Sequence, residues 1–179
     1  MAQRFSAGLF LITKISRRLK VKRFENKKMQ DLYQIIGEKL NDIIPCEWTK
    51  IYLYAEVLDD STMVLFHFKT PEKCQLIYSQ DIPVRYSVSK DIFKTLLREI
   101  RELFEELRAE HKNNNDQVWT NLTLTLESNG PFQLDYNDDD ILASELDGYQ
   151  RIALWEYKTL GILPEDEEDQ EFLISYLNL

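Results

Sequence analysis

At 179 residues, with 44% apolar and 12% aromatic side chains and only 5 Gly and 5 Pro, the chain can bury a sizeable core, which excludes a disordered or low-complexity protein. Its formal charge of −9 joins two unlike parts: residues 1–28 hold nine Lys/Arg against one acid, Glu25, a net +8, whereas residues 29–179 hold 13 bases against 30 acids, a net −17. So negative a domain repels nucleic-acid and membrane phosphates and attracts cationic protein surfaces, which argues against direct nucleic-acid binding and stable membrane association.

The apolar run 7–12 is about one third of a membrane-spanning helix, and no small-residue cleavage site follows it, so it does not read as a secretory signal. Phe5, Leu9, Ile12, Ile15 and Leu19 recur at helical spacing and could form a basic amphipathic helix. The charge of this stretch contradicts everything after it, and the first well-formed element begins near Met29. The expected organisation is therefore a basic extension over 1–28, upstream of a natural start at Met29, and a single acidic domain over 29–179.

Leu32, Ile35, Ile36, Leu40, Ile43 and Ile44 predict an amphipathic helix stopped by Pro45. Ile51, Leu53, Ala55 and Val57 alternate with Tyr52, Tyr54 and Glu56, a strand; Val64, Phe66 and Phe68 alternate with Met63, Leu65 and His67, a second strand apolar on both faces and so expected inside the sheet. Residues 75–79 complete an antiparallel meander. Ser89 is placed to cap the strongest helix of the chain, whose stripe runs through Ile92, Phe93, Leu96, Leu97, Ile100, Leu103, Phe104 and Leu107, and the polar run 113–116 ends it. Residues 118–127 and 132–136 alternate about Asn129-Gly130, a hairpin signal. A helix through Ile152, Leu154, Trp155 and Tyr157 closes at Gly161, and a last helix opens at Pro164 and packs through Phe172, Leu173, Tyr176 and Leu177. The order α-β-β-β-α-β-β-α-α predicts an α+β fold with an antiparallel sheet of about five strands.

Catalytic signatures are missing. There is no P-loop, no GxGxxG and no zinc spacing, and neither His67, inside a strand, nor His111, near a helix end, stands in a nucleophile–base motif. Cys46 and Cys74 are far apart and fit a reducing compartment. Asp135, Asn137 and Asp139 imitate the first, third and fifth places of a calcium loop, but the sixth place holds Asp140 instead of Gly and the twelfth Leu146 instead of Glu. A Ca²⁺ site or metal-dependent enzyme built on Asp135–Asp140 is the alternative reading; against the enzyme stands the lack of a basic patch to hold a polyanionic substrate. No cofactor is expected. The acidic clusters read instead as a surface for a cationic partner: Asp138, Asp139, Asp140, Glu145 and Asp147, then Glu165, Asp166, Glu167, Glu168 and Asp169. A turn accounts equally for the first cluster, and helix-dipole compensation for the second. Trp119, on the polar side of its alternation, is the candidate aromatic anchor, while Trp48 and Trp155 are expected in the core.

Several segments together resemble one family. They are Ile44-Pro45-Cys46-Glu47-Trp48-Thr49-Lys50-Ile51-Tyr52, Ile82-Pro83, Leu103-Phe104-Glu105-Glu106-Leu107-Arg108, Trp119-Thr120-Asn121-Leu122, Trp155-Glu156-Tyr157-Lys158 and Leu160-Gly161-Ile162-Leu163-Pro164-Glu165. In this order and spacing the chain resembles the YezG-like immunity proteins of Gram-positive bacteria from about Met29 to Tyr176; the basic segment 1–28 is the departure. The resemblance implies a cytoplasmic antitoxin that binds and inhibits a cognate toxin, the nuclease domain of a type VII-secreted protein, before export. It also allows an orphan immunity paralogue with no paired toxin. It carries no catalytic residues.

Overall fold

The computed structural model describes residues 25–72 and 75–178. The expected amphipathic helix at residues 5–19 and Cys74 lie outside them. The chain divides into two compact units, the first ending at Asp138 and the second running from Asp139 to Leu179.

The first unit is a five-stranded antiparallel sheet of order β3-β2-β1-β4-β5 with two long helices, α1 (Lys27–Ile43) and α3 (Lys90–Asn114). Its strands are β1 (Lys50–Val57), β2 (Thr62–Lys69), β3 (Leu76–Tyr78), β4 (Asn121–Glu127) and β5 (Phe132–Asn137). Each pairs with its neighbour through a register that keeps like faces together: Leu53 stands opposite Phe66 on one side and Leu124 on the other. Period-two alternation thus delivers Ile51, Leu53, Ala55, Val64, Phe66, Phe68, Leu122, Leu124, Leu126 and Leu134 to one apolar face. That face is closed by α3, which lies against β1 and β2 and packs beside α1. The helices contribute Leu32, Ile36 and Leu40 from α1 and Phe93, Leu97, Ile100, Phe104 and Leu107 from α3, the spacing of a single buried stripe on each. Trp48 joins this core, as expected.

The opposite sheet face is also partly buried. Tyr54, Glu56, Leu65 and His67 are buried on it, the Tyr54 hydroxyl donating to Glu56 at 3.1 Å and the His67 ring stacked on Tyr78 at 5.0 Å. The β4–β5 half, with Asn121, Thr123, Gln133 and Asp135, remains half-exposed.

Helix α1 starts earlier than its apolar stripe. Asn26 caps it, its side chain accepting from the Met29 amide at 2.9 Å, so residues 26–28 of the basic segment belong to the folded unit. Lys28 reaches Glu106 and Glu110 of α3, each at 3.2 Å, and Asn26 also donates to Glu110. Between β3 and α3, the turn Ser79–Asp81 and the one-turn helix α2 (Ile82–Arg85) were not foreseen; four residues are too few to show a helical period, although Pro83 in the first turn is a favoured starting residue. Ser89 stands at the N-cap of α3 without a side-chain cap bond.

The second unit consists of α4 (Gly148–Leu160) and α5 (Glu167–Leu177), packed on each other. Asp147 and Gln150 form a reciprocal capping box at the start of α4, and Gly161, in the left-handed region at φ +71°, closes it. Trp155 is buried, as expected, and so is Leu173 of α5. The α+β class, the antiparallel sheet of five strands and the order of the main elements are as the sequence predicts.

Candidate functional site

The acidic residues singled out from the sequence fall almost entirely in the second unit. Its eleven carboxylates and two cations, Arg151 and Lys158, give residues 139–179 a net charge of −9. Asp139, Asp140, Glu145 and Asp147 are exposed on the segment that leads into α4, and Asp138, at the end of the first unit, is half-buried. Glu165, Asp166, Glu167, Glu168 and Asp169 are all exposed at the entrance to α5, and Glu171 adds a further exposed carboxylate.

Several of these groups also have local work. Asp140 accepts from the amides of Leu142 and Ala143, both at 3.1 Å, which turns the chain; Asp147 accepts from Gln150 at 2.9 Å; Asp166 accepts from Glu168 at 2.9 Å. Short polar side chains at such positions satisfy amides that a turn or helix start leaves unpaired. Glu167, Glu168 and Asp169 occupy the first turn of α5, where the helix dipole favours negative charge. The turn and dipole roles and an outward-facing negative surface are therefore compatible. The structure does not merge the clusters into one site: Asp147 caps the start of α4 and Glu165 follows its end, a separation along the helix of about 20 Å at 1.5 Å per residue.

Trp119 requires a correction. It has no exposed surface and packs on Tyr136 with ring centroids 5.6 Å apart. The alternation that put it on the polar face breaks before it is reached, because the strand begins at Asn121 and the Trp119 carbonyl accepts from Arg108 Nε at 3.1 Å. Trp119 is therefore a core residue and no anchor. The most exposed large apolar side chains of the second unit are others: Tyr149 at 82% and Leu142 at 74% exposure, beside Asp147 and Asp140. Helical spacing groups Tyr149 with Ile152, which masked it; its place in the first turn, next to the cap, was the available signal.

The calcium-like motif does not form a loop. Asp135 sits within β5 opposite Thr123 and accepts from Gln133 at 3.0 Å, while Asp140 turns onto the backbone. Among the described residues no three His, Cys, Asp or Glu side chains are grouped as metal ligands. His67 and His111 are both buried, His111 against the Tyr136 ring at 5.5 Å. Tyr136 shares its hydroxyl with that of Tyr33 at 2.9 Å, which also donates to Glu25 at 3.3 Å; burial pushes the Glu25 carboxyl above its usual range, partly offset by this hydrogen bond. Cys46 donates to the Tyr86 hydroxyl at 3.3 Å, and burial and the thiol together raise the Tyr86 phenol. These groups belong to the first unit.

The second unit thus presents an exposed negative segment that carries exposed apolar side chains. The family model for immunity protein YezG-like matches residues 29–174. The chain belongs to the YezG-like immunity protein family. It is 83% identical over 151 residues to immunity protein YezG of Bacillus subtilis, covering 84% of this chain and 100% of that relative. It is 50% identical over 153 residues to immunity protein YezG of Bacillus spizizenii, covering 86% and 95%. It is 30% identical over 141 residues to the type VII secretion system protein EsaG of Staphylococcus aureus, covering 79% and 86%. Membership in this family assigns the chain an antitoxin role and a place among binding proteins. No helix among the described residues is long and apolar enough to cross a membrane.

Proposed function

We propose that the chain binds a cognate secreted toxin in the cytoplasm of the producing cell and holds its nuclease domain inactive until export. The observation that carries this reading is the second unit, with eleven carboxylates against two cations and with Tyr149 and Leu142 largely exposed among them. A nuclease must present Lys and Arg to DNA phosphates, and each such contact can be masked by a carboxylate instead. Asp138, Asp139, Asp140, Glu145 and Asp147 form one contact region, and Glu165, Asp166, Glu167, Glu168 and Asp169 the other. Long-range attraction speeds the encounter, and Tyr149 and Leu142 take over from Trp119 as the apolar anchors that slow release. The staphylococcal relative is a type VII secretion system protein, which supports export through that route for the toxin. The chain itself performs no chemistry in this reading.

Co-expression with the toxin domain encoded beside this chain's gene tests it. Growth is expected to be restored by the intact chain and lost again when the carboxylates of both clusters are changed to amides. Equal killing with and without the intact chain contradicts the reading.

A further inference from the structure

One surface of this acidic protein has the opposite sign. Along α3, Lys90, Lys94, Arg98 and Arg101 line a groove of about 660 Å³ whose other wall is Pro83 and Val84 of α2, with Phe93 and Leu97 beneath. The net charge of −17 over residues 29–179 leaves only 13 cations for the whole domain, and four of them stand here. No acidic residue lines the groove. Of the carboxylates on α3, Glu99 pairs with Lys39, Glu102 makes a 3.7 Å contact with Arg98, and Asp91 is exposed in the first turn.

The cations are not spent on the fold. Among the described residues Lys90, Lys94 and Arg101 make no ion pair or side-chain hydrogen bond, and the Nε of Arg101 is buried without a partner. A buried donor with no acceptor is an uncommon feature of a folded protein. Val84, on the opposite wall, is 79% exposed.

We propose that this groove is a second docking surface, which receives an acidic amphipathic helix of a partner protein. Lys90, Lys94 and Arg98 stand four residues apart, about 6 Å per step along α3, the same interval at which carboxylates at i, i+4 and i+8 repeat on a facing helix. An apolar stripe on that helix would rest on Pro83 and Val84. Nucleic acid fits poorly, because phosphates would meet the cations but leave the exposed Val84 on the opposite wall uncovered. A second copy of the chain would bring the same large like charge.

The inference goes beyond the toxin-binding reading and can fail separately from it, since it concerns different residues and a different sign of charge. The test uses the full chain and a fluorescent synthetic helical peptide of Leu and Glu, with Glu at i, i+4 and i+8 beside a Leu stripe. Saturable binding is expected, weakening with salt. It should fall by roughly tenfold or more in the double variant Lys94→Glu/Arg98→Glu, whose positions are exposed, and also in Val84→Asp. A peptide with Lys in place of Glu should not bind. Absence of binding to the Glu peptide overturns the proposal, as does binding that ignores both variants. So does tighter groove-dependent binding of oligo(dT), or a change from dimer to monomer in the double variant, which would assign the groove to a second copy.

Discussion

Two tryptophans and a tyrosine separate what burial and exposure each contribute. Trp119 and Trp155 sit inside their units, whereas Tyr149 stands out from the first turn of α4. Trp119→Ala should lower the unfolding free energy by about 3–5 kcal/mol in urea titrations, the range for deleting a buried aromatic ring. Tyr149→Ala should leave stability within about 0.5 kcal/mol and instead accelerate dissociation of the toxin complex, as loss of an exposed anchor does. Tyr149→Ala that unfolds the protein, or that leaves the complex lifetime unchanged, would remove it from the binding surface. Alternation along residues 118–126 was read correctly for Leu122, Leu124 and Leu126 and wrongly for Trp119, because pleat parity ends where a carbonyl leaves the ladder for Arg108.

Glu25 gives the residue scale a pH signature. Its carboxyl titrates above its ordinary value near 4.5 because burial disfavours the charged form. The folded state therefore binds this proton more tightly than the unfolded state, so the contribution of Glu25 is favourable in acid and is lost as pH rises through the raised pKa. Glu25→Gln keeps an acceptor for the Tyr33 hydroxyl without the charge. The variant should melt above the parent at neutral pH, and the two should converge below the ordinary carboxyl range. A gap that widens toward acid would reverse the assignment.

Among elements, α4 shows how local signals specify both ends. Asp147 and Gln150 close the first turn, and Gly161 accepts a left-handed backbone that any side chain would strain. Asp147→Ala and Gly161→Ala should each cost about 1 kcal/mol, read as a lower melting temperature with helix content at α4 reduced. The strongly periodic elements, α1, α3, β1 and β2, were legible because period and burial coincide. What stayed illegible was short or nonlocal. The four-residue α2 carries no period, and α1 begins at an asparagine cap whose weight comes from Glu110, 84 residues away. The last helix was placed at Pro164, yet the cap that starts it is Asp166. The basic groove was equally hidden, since Lys94, Arg98 and Arg101 lie on the polar side of an amphipathic helix. Only the position of α2 turns that side into a wall.

At the scale of the whole molecule, charge is partitioned along with structure. The sheet unit uses its ion pairs internally, as in Lys28 with Glu106 and Glu110, or Arg108 with Asp59 at 2.8 Å. The second unit has two cations for eleven carboxylates and cannot neutralise itself. Exposed charges are screened over about 8–10 Å at physiological salt, so such an excess acts chiefly on the rate of encounter. Acidic composition and cluster positions were readable from the sequence. The separation of the clusters by the length of α4 was not, since spacing along a chain does not give distance between its caps. Two regions about 20 Å apart suit a partner surface of ordinary interface size better than a single pocket.

The association rate constant of the chain with its cognate toxin, measured by stopped flow across a series of ionic strengths, tests negative-surface capture most directly. The account predicts a rate that falls steeply with salt for the intact chain. It also predicts a shallow dependence once Glu165, Asp166, Glu167, Glu168 and Asp169 are changed to their amides. A rate indifferent to salt, or one that amide substitution leaves equally steep, would contradict it.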